Sequence, residues 1–374
     1  MEKLKLATVI GTRPEIIRLA AVIKKADRCF DHVLIHTGQN WDYTLNEVFF
    51  KDLGLRAPDY YLECAGAGLG ETMGSIITKS FELLDTLKPD ALLLLGDTNS
   101  TLAAIPAKRL KIPIFHMEAG NRCWDWNVPE MVNRTIVDRI SDINLPYTEN
   151  SRHYLLSEGF DGKTIFVTGS PMPEVLENCK KEIDESPVLD ELGLEPKKYF
   201  LLSAHREENI DDEGRFISLM SALNVLAEEY GMPVVFSTHP RTKAMLEARD
   251  FALHPLIRSV KPFGFIDYNK LQKLSYCVLS DSGTLSEEAT ILNFPAVLLR
   301  TSTERPEALD NGSIIVGGIN RDDILRAVSL ADELYPVDST FSLPADYRAL
   351  NVSDKVVRII ESYTKIVNET TWGR

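Results

Sequence analysis

The sequence predicts an α/β protein built from two doubly wound parallel-sheet domains. Short apolar runs recur along the chain, and each is followed by turn residues and then by a segment with helical periodicity, which is typical of βα units. The pattern stops in an acidic, proline-containing stretch at residues 182–198 and then restarts. A length of 374 residues also fits two domains of ordinary size.

The first half contains six predicted strands, each leading into a turn or a helix. Several strands are nearly all apolar, as expected for strands that are covered on both faces. The strands span residues 4–10, 33–36, 91–95, 114–116, 143–145 and 165–167. The helices begin near Pro14, Tyr43, Glu71, Ser100, Pro129 and Thr148.

The second half repeats the arrangement and predicts a second sheet. Its strands span residues 199–203, 234–237, 277–280 and 296–299, and its helices span residues 212–229, 269–274 and 285–292. Near the end of the chain, residues 353–367 place apolar side chains on one side of a helix. This last helix therefore has one buried face, whose docking site the spacing alone does not assign.

Composition excludes several classes of function. A net charge of −14 opposes nucleic-acid binding, which depends on clustered Lys and Arg. No apolar run is long enough to span a bilayer, and the N-terminal residues lack the pattern of a signal peptide. Five scattered cysteines without a CxxC pair fit a reducing compartment, so we expect a cytoplasmic protein without membrane partners.

The loop after the first strand is the first candidate for ligand binding. In doubly wound sheets, ligands bind beyond the carboxyl ends of the strands. Gly11 permits a tight turn there, and Pro14 fits the first position of a helix. Arg13 and Arg18 can face a phosphate near that helix N-terminus. The alternative is a plain strand-to-helix turn, which is equally compatible with these residues.

Three carboxylates follow strands of the first half and are candidates for acid and base chemistry. Asp97 and Glu130 each fit the start of a helix, where an acidic residue also has a purely structural role. Glu118 ends an apolar strand with no helix to cap, so a structural role explains it less well. Carboxyl groups crowded at one edge differ in pKa, which suits them to proton transfer.

The strongest phosphate candidate of the second half follows the strand at residues 277–280. Backbone N–H groups around Ser282, Gly283 and Thr284 are placed at the N-terminus of the next helix, which favours an anion.

Three other loops of the second half carry candidate side chains. His205 lies in the segment SAHREE and His239 in the segment THPR, each directly after a predicted strand. Arg305 lies in TERPE, after the last clear strand. It is a second candidate phosphate ligand, or it pairs with Glu304 or Glu307.

Several familiar catalytic motifs are absent from the sequence. No HExxH spacing or cysteine cluster indicates a metal site. Ser282 lies in SDSGT and not in GxSxG, and no dinucleotide fingerprint is present. We therefore expect neither a metal nor a cofactor.

Seven motifs together resemble the non-hydrolysing UDP-N-acetylglucosamine 2-epimerase family, in order and over nearly the whole chain. The motifs are GTRPE at Gly11, GDT at Gly96, HMEAG at His116, PE and NR at Pro129, SAHRE at Ser203, SDSG at Ser280 and TERPE at Thr303. The resemblance implies a GT-B-type fold, with two Rossmann-like domains and an interdomain cleft. It also implies a homodimer. In addition, it implies that the C-terminal helix returns to the first domain, so that residues 1–172 and 353–374 form one domain and residues 173–352 form the other.

The resemblance also implies roles for individual residues. It identifies four catalytic positions, Asp97, Glu118, Glu130 and His205, and a UDP-linked N-acetylated sugar as the ligand. The positions that match the UDP contacts of the family are Arg13, Ser282, Gly283, Glu288 and Arg305.

Three departures from the common family pattern concern the sugar. Arg18 replaces a more usual Lys, Met131 replaces the second Glu of PEE, and Thr284 replaces the second Gly of SGG. With further motifs such as TGQNWDY, they resemble the subgroup that makes UDP-N-acetyl-L-fucosamine from its 6-deoxy-L-talo epimer for surface polysaccharide. The alternative is interconversion of UDP-N-acetylglucosamine and UDP-N-acetylmannosamine.

Three other activities remain compatible with the fold. A GT-B glycosyltransferase shares the sheets and the UDP site but passes the sugar to an acceptor. A hydrolysing 2-epimerase releases UDP in amounts that match its product, and a nucleotide-sugar sensor binds without turnover. The carboxylates of the first half favour proton chemistry.

Overall fold

The computed structural model describes residues 3–39, 43–124, 126, 128–204, 206–301, 303–334 and 343–374. The chain divides into two compact units. Unit 1 comprises Met1–Asn178 and Ala345–Arg374, and unit 2 comprises Cys179–Pro344. Each unit has its own parallel sheet and its own apolar core.

Unit 1 contains a parallel sheet of six strands. In chain order these are β1 (Lys5–Ile10), β2 (Asp31–His36), β3 (Tyr60–Tyr61), β4 (Ala91–Leu95), β5 (Ile114–Met117) and β6 (Ile143–Leu145). Their order across the sheet is β3-β2-β1-β4-β5-β6. Every residue of β4 and β5 is buried, which explains their largely apolar sequences.

Seven helices of unit 1 follow these strands. They are α1 (Arg13–Cys29), α2 (Tyr43–Asp52), α3 (Leu69–Leu87), α4 (Ala104–Arg109), α5 (Glu130–Ile140), α6 (Glu149–Ser157) and α7 (Met172–Asn178). Short 3-10 helices span Asn99–Ala103 and Gly162–Thr164. Helix α1 begins where the sequence predicts it, because Thr12 and Glu15 form a capping box and Pro14 lies in the first turn.

Unit 2 contains a second parallel sheet of six strands. These are β7 (Phe200–Ser203), β8 (Val234–Ser237), β9 (Ile257–Val260), β10 (Cys277–Ser280), β11 (Ala296–Leu298) and β12 (Ile315–Val316), in the order β12-β11-β10-β7-β8-β9. Alternate residues of β7 enter different apolar clusters, with Phe200 and Leu202 in one and Leu201 in the other. Both faces of the sheet are therefore covered.

Among its described residues, unit 2 has nine α-helices. They are α8 (Lys180–Glu185), α9 (Val188–Leu192), α10 (Glu207–Ile210), α11 (Glu213–Tyr230), α12 (Pro240–Ala248), α13 (Phe265–Leu274), α14 (Leu285–Leu292), α15 (Pro306–Asp310) and α16 (Arg321–Glu333).

The last helix, α17 (Val352–Trp372), packs against α1 of unit 1 after a 3-10 turn at Ala345–Tyr347. Its buried face includes Val356 and Ile360. The side chain of Lys25 on α1 lies 2.6 Å from Asp354, and the Ser353 amide donates to the Glu174 carboxylate at 2.8 Å. Across the described ranges, no helix is both long enough and apolar enough to cross a membrane.

The predicted strand at residues 165–167 is wrong. Ile165 forms only an isolated bridge to Asn144, because the neighbouring strand β6 has three residues and Pro146 follows it. The sequence analysis also missed β3, β9 and β12. The first two contain exposed residues and β12 has only two residues, so none produces a continuous apolar run.

Candidate active site

The carboxyl ends of β4 and β5 lie side by side in the sheet of unit 1, because Leu95 pairs with Met117. Asp97 lies two residues beyond β4, and Glu118 follows β5 directly. This edge of a parallel sheet is where ligands bind in doubly wound proteins. The structure thus places two of the predicted carboxylates at the same edge.

Glu118 is buried in an unusual backbone conformation. Its φ of 62° lies in the left-handed region, which residues with a side chain rarely adopt, and the residue is only 3% exposed. The Glu118 amide donates to the Leu145 carbonyl at 3.1 Å, and Arg134 Nη1 donates to the Glu118 carbonyl. Arg18 Nη1 donates to the carboxylate. These contacts fix the orientation of the carboxylate.

Arg134 joins the two carboxylates. Its Nη2 atom donates to Asp97 Oδ2 and lies 3.3 Å from Glu118 Oε1. Arg134 is 1% exposed, so little solvent screens these charges. A neighbouring guanidinium favours the ionised form of a carboxylate. The sequence analysis quoted Arg134 only within a motif; its position four residues after Glu130 on a helix is the signal that could have identified it.

Glu130 differs from the other two carboxylates. It lies half-buried in the first turn of α5, one helical turn before Arg134. Within the part of the chain that the structure describes, its side chain makes no hydrogen bond or ion pair. Its carboxyl group is therefore available to a ligand.

A buried contact between His116 and Asp138 supports the loops that carry Asp97 and Glu118. His116 Nε2 lies 2.7 Å from the Gly96 carbonyl, and His116 Nδ1 lies 2.9 Å from Asp138 Oδ1. Burial raises the pKa of Asp138, but the hydrogen bond and charge of His116, with the charge of Arg122, outweigh burial and lower it. The pair fixes the turn at Gly96.

Glu15 stabilises the turn between β1 and α1. Its Oε2 atom accepts from the Gly11 amide at 2.9 Å and from the Thr12 amide at 2.7 Å, and Oε1 accepts from the Ser100 hydroxyl. Burial raises the pKa of Glu15, and these hydrogen bonds lower it in part. The sequence analysis assigned Glu15 no role, although its spacing from Thr12 is that of a capping box.

The two arginines of α1 have different surroundings. Arg18 is buried and its guanidinium contacts Glu118, a partner that the sequence analysis did not identify. Arg13 is half-buried, and its Cζ atom lies 5.9 Å from the centre of the Phe49 ring. Arg18 is therefore part of the carboxylate network, whereas Arg13 lies at the helix N-terminus as predicted for a phosphate ligand.

In unit 2, the predicted phosphate turn follows β10 and leads into α14. The Ser282 amide donates to the Ser280 hydroxyl at 3.1 Å, and the Thr284 amide to the Ser282 hydroxyl at 3.3 Å. The Asp281 carboxylate accepts from the Arg206 amide at 2.9 Å and thereby ties the turn to the loop after β7. The turn is a defined structure at a helix N-terminus.

Arg305 has a partner that the sequence analysis did not suggest. Its Nε atom lies 2.6 Å from Glu287 Oε1 on α14, and both side chains are buried. The sequence analysis considered Glu304 and Glu307, which are close along the chain. The observed partner belongs to another element, and local spacing does not reveal it.

Two further predicted residues, Glu288 and His239, are described in unit 2. The Glu288 carboxylate is buried on α14 and accepts from Gln272 Nε2 at 2.7 Å. His239 is half-buried directly before α12. His205 lies outside the described residues. In the ranges that are described, no group of three or more His, Cys, Asp or Glu side chains has the arrangement of a metal site.

The chain is similar to known proteins over most of its length. A model of the UDP-N-acetylglucosamine 2-epimerase family matches residues 23–361. The chain belongs to this family. The UDP-N-acetylglucosamine 2-epimerase of Rickettsia bellii has a similar structure, with 46% identity, full coverage of both chains and a TM-score of 0.93. The predictions of an isomerase-class epimerase and of an α/β fold of the GT-B class are therefore confirmed.

Two further relatives illustrate the ligands of the family. The structure of the Methanocaldococcus jannaschii enzyme with UDP-GlcNAc and UDP is 32% identical, covers 96% of this chain and 100% of that one, and has a TM-score of 0.88. A UDP-2,3-diacetamido-2,3-dideoxy-D-glucuronate 2-epimerase of Pseudomonas aeruginosa is 33% identical over 87% of this chain and 90% of that protein. Members at similar identity thus carry names with different sugars.

Proposed function

We propose that this protein inverts carbon 2 of a UDP-linked 2-acetamido sugar. The observation that carries the proposal is the pair of carboxylates, Asp97 and Glu118, which one buried guanidinium of Arg134 joins at the ligand-binding edge of unit 1. Proton transfer needs carboxyl groups in fixed positions. The turn before α14 suits a diphosphate, and a UDP-sugar contains both a diphosphate and a carbon-bound proton to remove.

The proposed reaction proceeds by elimination and re-addition. The bond between carbon 1 and the UDP oxygen breaks, the diphosphate leaves with the electron pair, and an oxocarbenium-like sugar forms. A carboxylate removes the carbon 2 proton to give a 2-acetamidoglycal. A carboxyl group then returns a proton to the opposite face, and the diphosphate oxygen adds again to carbon 1. No atom or electron is gained or lost.

The surroundings of the three carboxylates suggest different tasks. Asp97 and Glu118 contact guanidinium groups, which favour their ionised form and suit them to accept a proton. Glu130 makes no such pair within the described chain, so its carboxyl group can contact the sugar directly. In the proposed mechanism, Asp97 or Glu118 is the base and Glu130 is the carboxyl group that serves the other face of the sugar.

Two sugars are candidates for the substrate. Arg18, Met131 and Thr284 favour the UDP-6-deoxy-L-talo sugar, whose product is UDP-N-acetyl-L-fucosamine. The name of the Rickettsia bellii relative favours UDP-N-acetylglucosamine. Met131 is 4% exposed and follows Glu130, so the substitution of the family glutamate removes a charge beside a proposed catalytic group.

Incubation of the purified protein with each sugar nucleotide separately, followed by proton NMR, tests the proposal. We expect a carbon 2 epimer from one of the two, without an acceptor and without free UDP in matching amounts. Transfer only in the presence of an acceptor identifies a glycosyltransferase. Equal amounts of free UDP and product identify a hydrolysing enzyme, and binding without product identifies a sensor.

Two further features stay predictions. The resemblance implies a homodimer. Light scattering during size-exclusion chromatography should then give a mass near twice the 42.0 kDa of the chain. Cysteine usage predicts the cytoplasm, which cell fractionation checks.

A further inference from the structure

Arg300 is a buried cation that the sequence analysis did not identify. It lies two residues beyond β11, and its amide donates to the Leu298 carbonyl at 3.0 Å. The residue is only 5% exposed. Its Nη2 atom is fully buried and has no hydrogen-bond partner among the described residues. Most buried side-chain polar atoms have at least one hydrogen-bond partner, so this nitrogen requires an explanation.

The guanidinium faces the turn before α14. Strands β10 and β11 are neighbours, with Ser280 opposite Leu298, so the loops that follow them lie at the same edge. A Cβ atom placed on Gly283 would lie 3.9 Å from Arg300 Nη1, and it would meet no other atom within 4 Å. Arg300 therefore adjoins the backbone of Gly283 at the positive end of an eight-residue helix.

The acidic side chains around this turn have other partners. Glu287 pairs with Arg305, Glu288 accepts from Gln272, and Asp281 accepts from the loop after β7. A buried charge without a counter-charge is strongly destabilising. A ligand that neutralises a guanidinium beside a helix N-terminus has to be an anion.

We propose that Arg300 binds the diphosphate of the nucleotide together with the turn at residues 282–284. The identity of the anion rests on the proposed function, whereas the need for an anion rests on Arg300 and the turn. Arg305, which matches a UDP-contacting position of the family, pairs with Glu287 on α14 and so supports the same turn. Arg300 adds a further guanidinium that contacts phosphate oxygens.

The test uses the full-length protein with Arg300→Met, Arg300→Lys and the control Arg326→Met, whose side chain on α16 is 72% exposed. Calorimetry measures binding of UDP and, separately, of inorganic pyrophosphate. We expect Arg300→Met to weaken both by roughly 10- to 100-fold, since a charged hydrogen bond contributes about 1.5–3 kcal/mol. Arg300→Lys should retain part of the affinity, and the control should bind like the unmodified protein.

The melting temperature without ligand distinguishes a binding role from a structural one. Removal of a buried cation without a partner relieves an electrostatic penalty, so Arg300→Met should melt at the same temperature as the unmodified protein or higher. A melting temperature several degrees lower, or unchanged affinity for UDP and pyrophosphate, overturns the proposal.

The same measurements separate this proposal from the proposed function. If the unmodified protein binds UDP through Arg300 but epimerises neither sugar, the epimerase proposal fails and the assignment of Arg300 is supported. If it epimerises a sugar and Arg300→Met binds UDP normally, the assignment of Arg300 fails and the epimerase proposal is supported.

Discussion

The two units differ in the pairing of buried arginines at the edges of their sheets. In unit 1, the buried guanidiniums of Arg18 and Arg134 contact Asp97 and Glu118, so cations and carboxylates neutralise one another. In unit 2, Arg300 is buried beside the turn at Gly283, and its Nη2 atom has no partner within the described chain.

This difference separates two tasks that a UDP-sugar enzyme must perform. A carboxylate that moves protons needs a fixed position before the substrate arrives, and a paired network provides it. A binding site for a diphosphate gains affinity when its cation is unpaired beforehand, because no internal ion pair must break. The comparison predicts that substitutions in unit 1 reduce turnover and that substitutions in unit 2 reduce binding.

The largest expected effect follows from Glu118→Gln. The amide cannot accept the carbon 2 proton, so kcat should fall by about 10²–10⁴-fold while UDP affinity stays within about threefold. Steady-state kinetics and calorimetry measure the two quantities. Glu149→Gln, on the exposed side of α6, is the control and should leave both unchanged. A loss of UDP affinity equal to the loss of kcat would contradict the division between the units.

Arg134→Lys should lower kcat by about 10- to 100-fold. Lysine keeps the charge but cannot contact Asp97, Glu118 and the Glu118 carbonyl at once, so the two carboxylates lose their common orientation. The acid limb of the pH–rate profile should move to higher pH, because the lysine ammonium contacts fewer carboxylate oxygens and stabilises the ionised carboxylates less. A purely structural role of Arg134 predicts a lower melting temperature with an unchanged profile.

Glycine substitutions compare the turns of the two units directly. A Cβ atom on Gly11 would lie 2.2 Å from Thr37 Oγ1 and 2.8 Å from Gln39 Nε2, so Gly11→Ala should destabilise the protein by about 1–3 kcal/mol. Gly283→Ala has space, so the melting temperature should stay the same while UDP affinity falls about tenfold, since the methyl group blocks close approach of the phosphate. The opposite result for either variant would refute the comparison.

The prediction furthest from the proposed chemistry concerns acid stability. Burial lowers the pKa of His36 at the end of β2 from 6.5 to about 4. The unfolded chain therefore binds this proton first, and stability falls as the pH drops from about 6.5 towards 4, by at most roughly 3 kcal/mol. In His36→Asn, the amide oxygen can still accept from the Gly38 amide, so the variant should lose part of this pH dependence. If chemical denaturation of the two proteins shows the same pH dependence, a group other than His36 causes the loss of stability.

The sequence predicted the parts of the structure that depend on local pattern. Strands such as β1, β4 and β10 are apolar and buried, so their positions follow from composition. Asp97 and Glu118 could be placed together because they follow neighbouring parallel strands.

Charge partners could not be predicted in the same way. The partner of Arg305 is Glu287 on another helix, and the partner of Arg18 is 100 residues away along the chain. The guanidinium of Arg134 is paired, whereas Nη2 of Arg300 has no partner among the described residues. This difference depends on tertiary contacts, which local sequence spacing does not encode.

Turnover in heavy water tests the central claim, that carboxyl groups of unit 1 exchange the carbon 2 proton of a UDP-linked 2-acetamido sugar. Proton NMR and mass spectrometry of the product after a single turnover measure the label. We expect one deuterium at carbon 2 of the epimerised sugar, and no label at that carbon after incubation with Glu118→Gln. An epimerised product that retains hydrogen at carbon 2 would contradict the account.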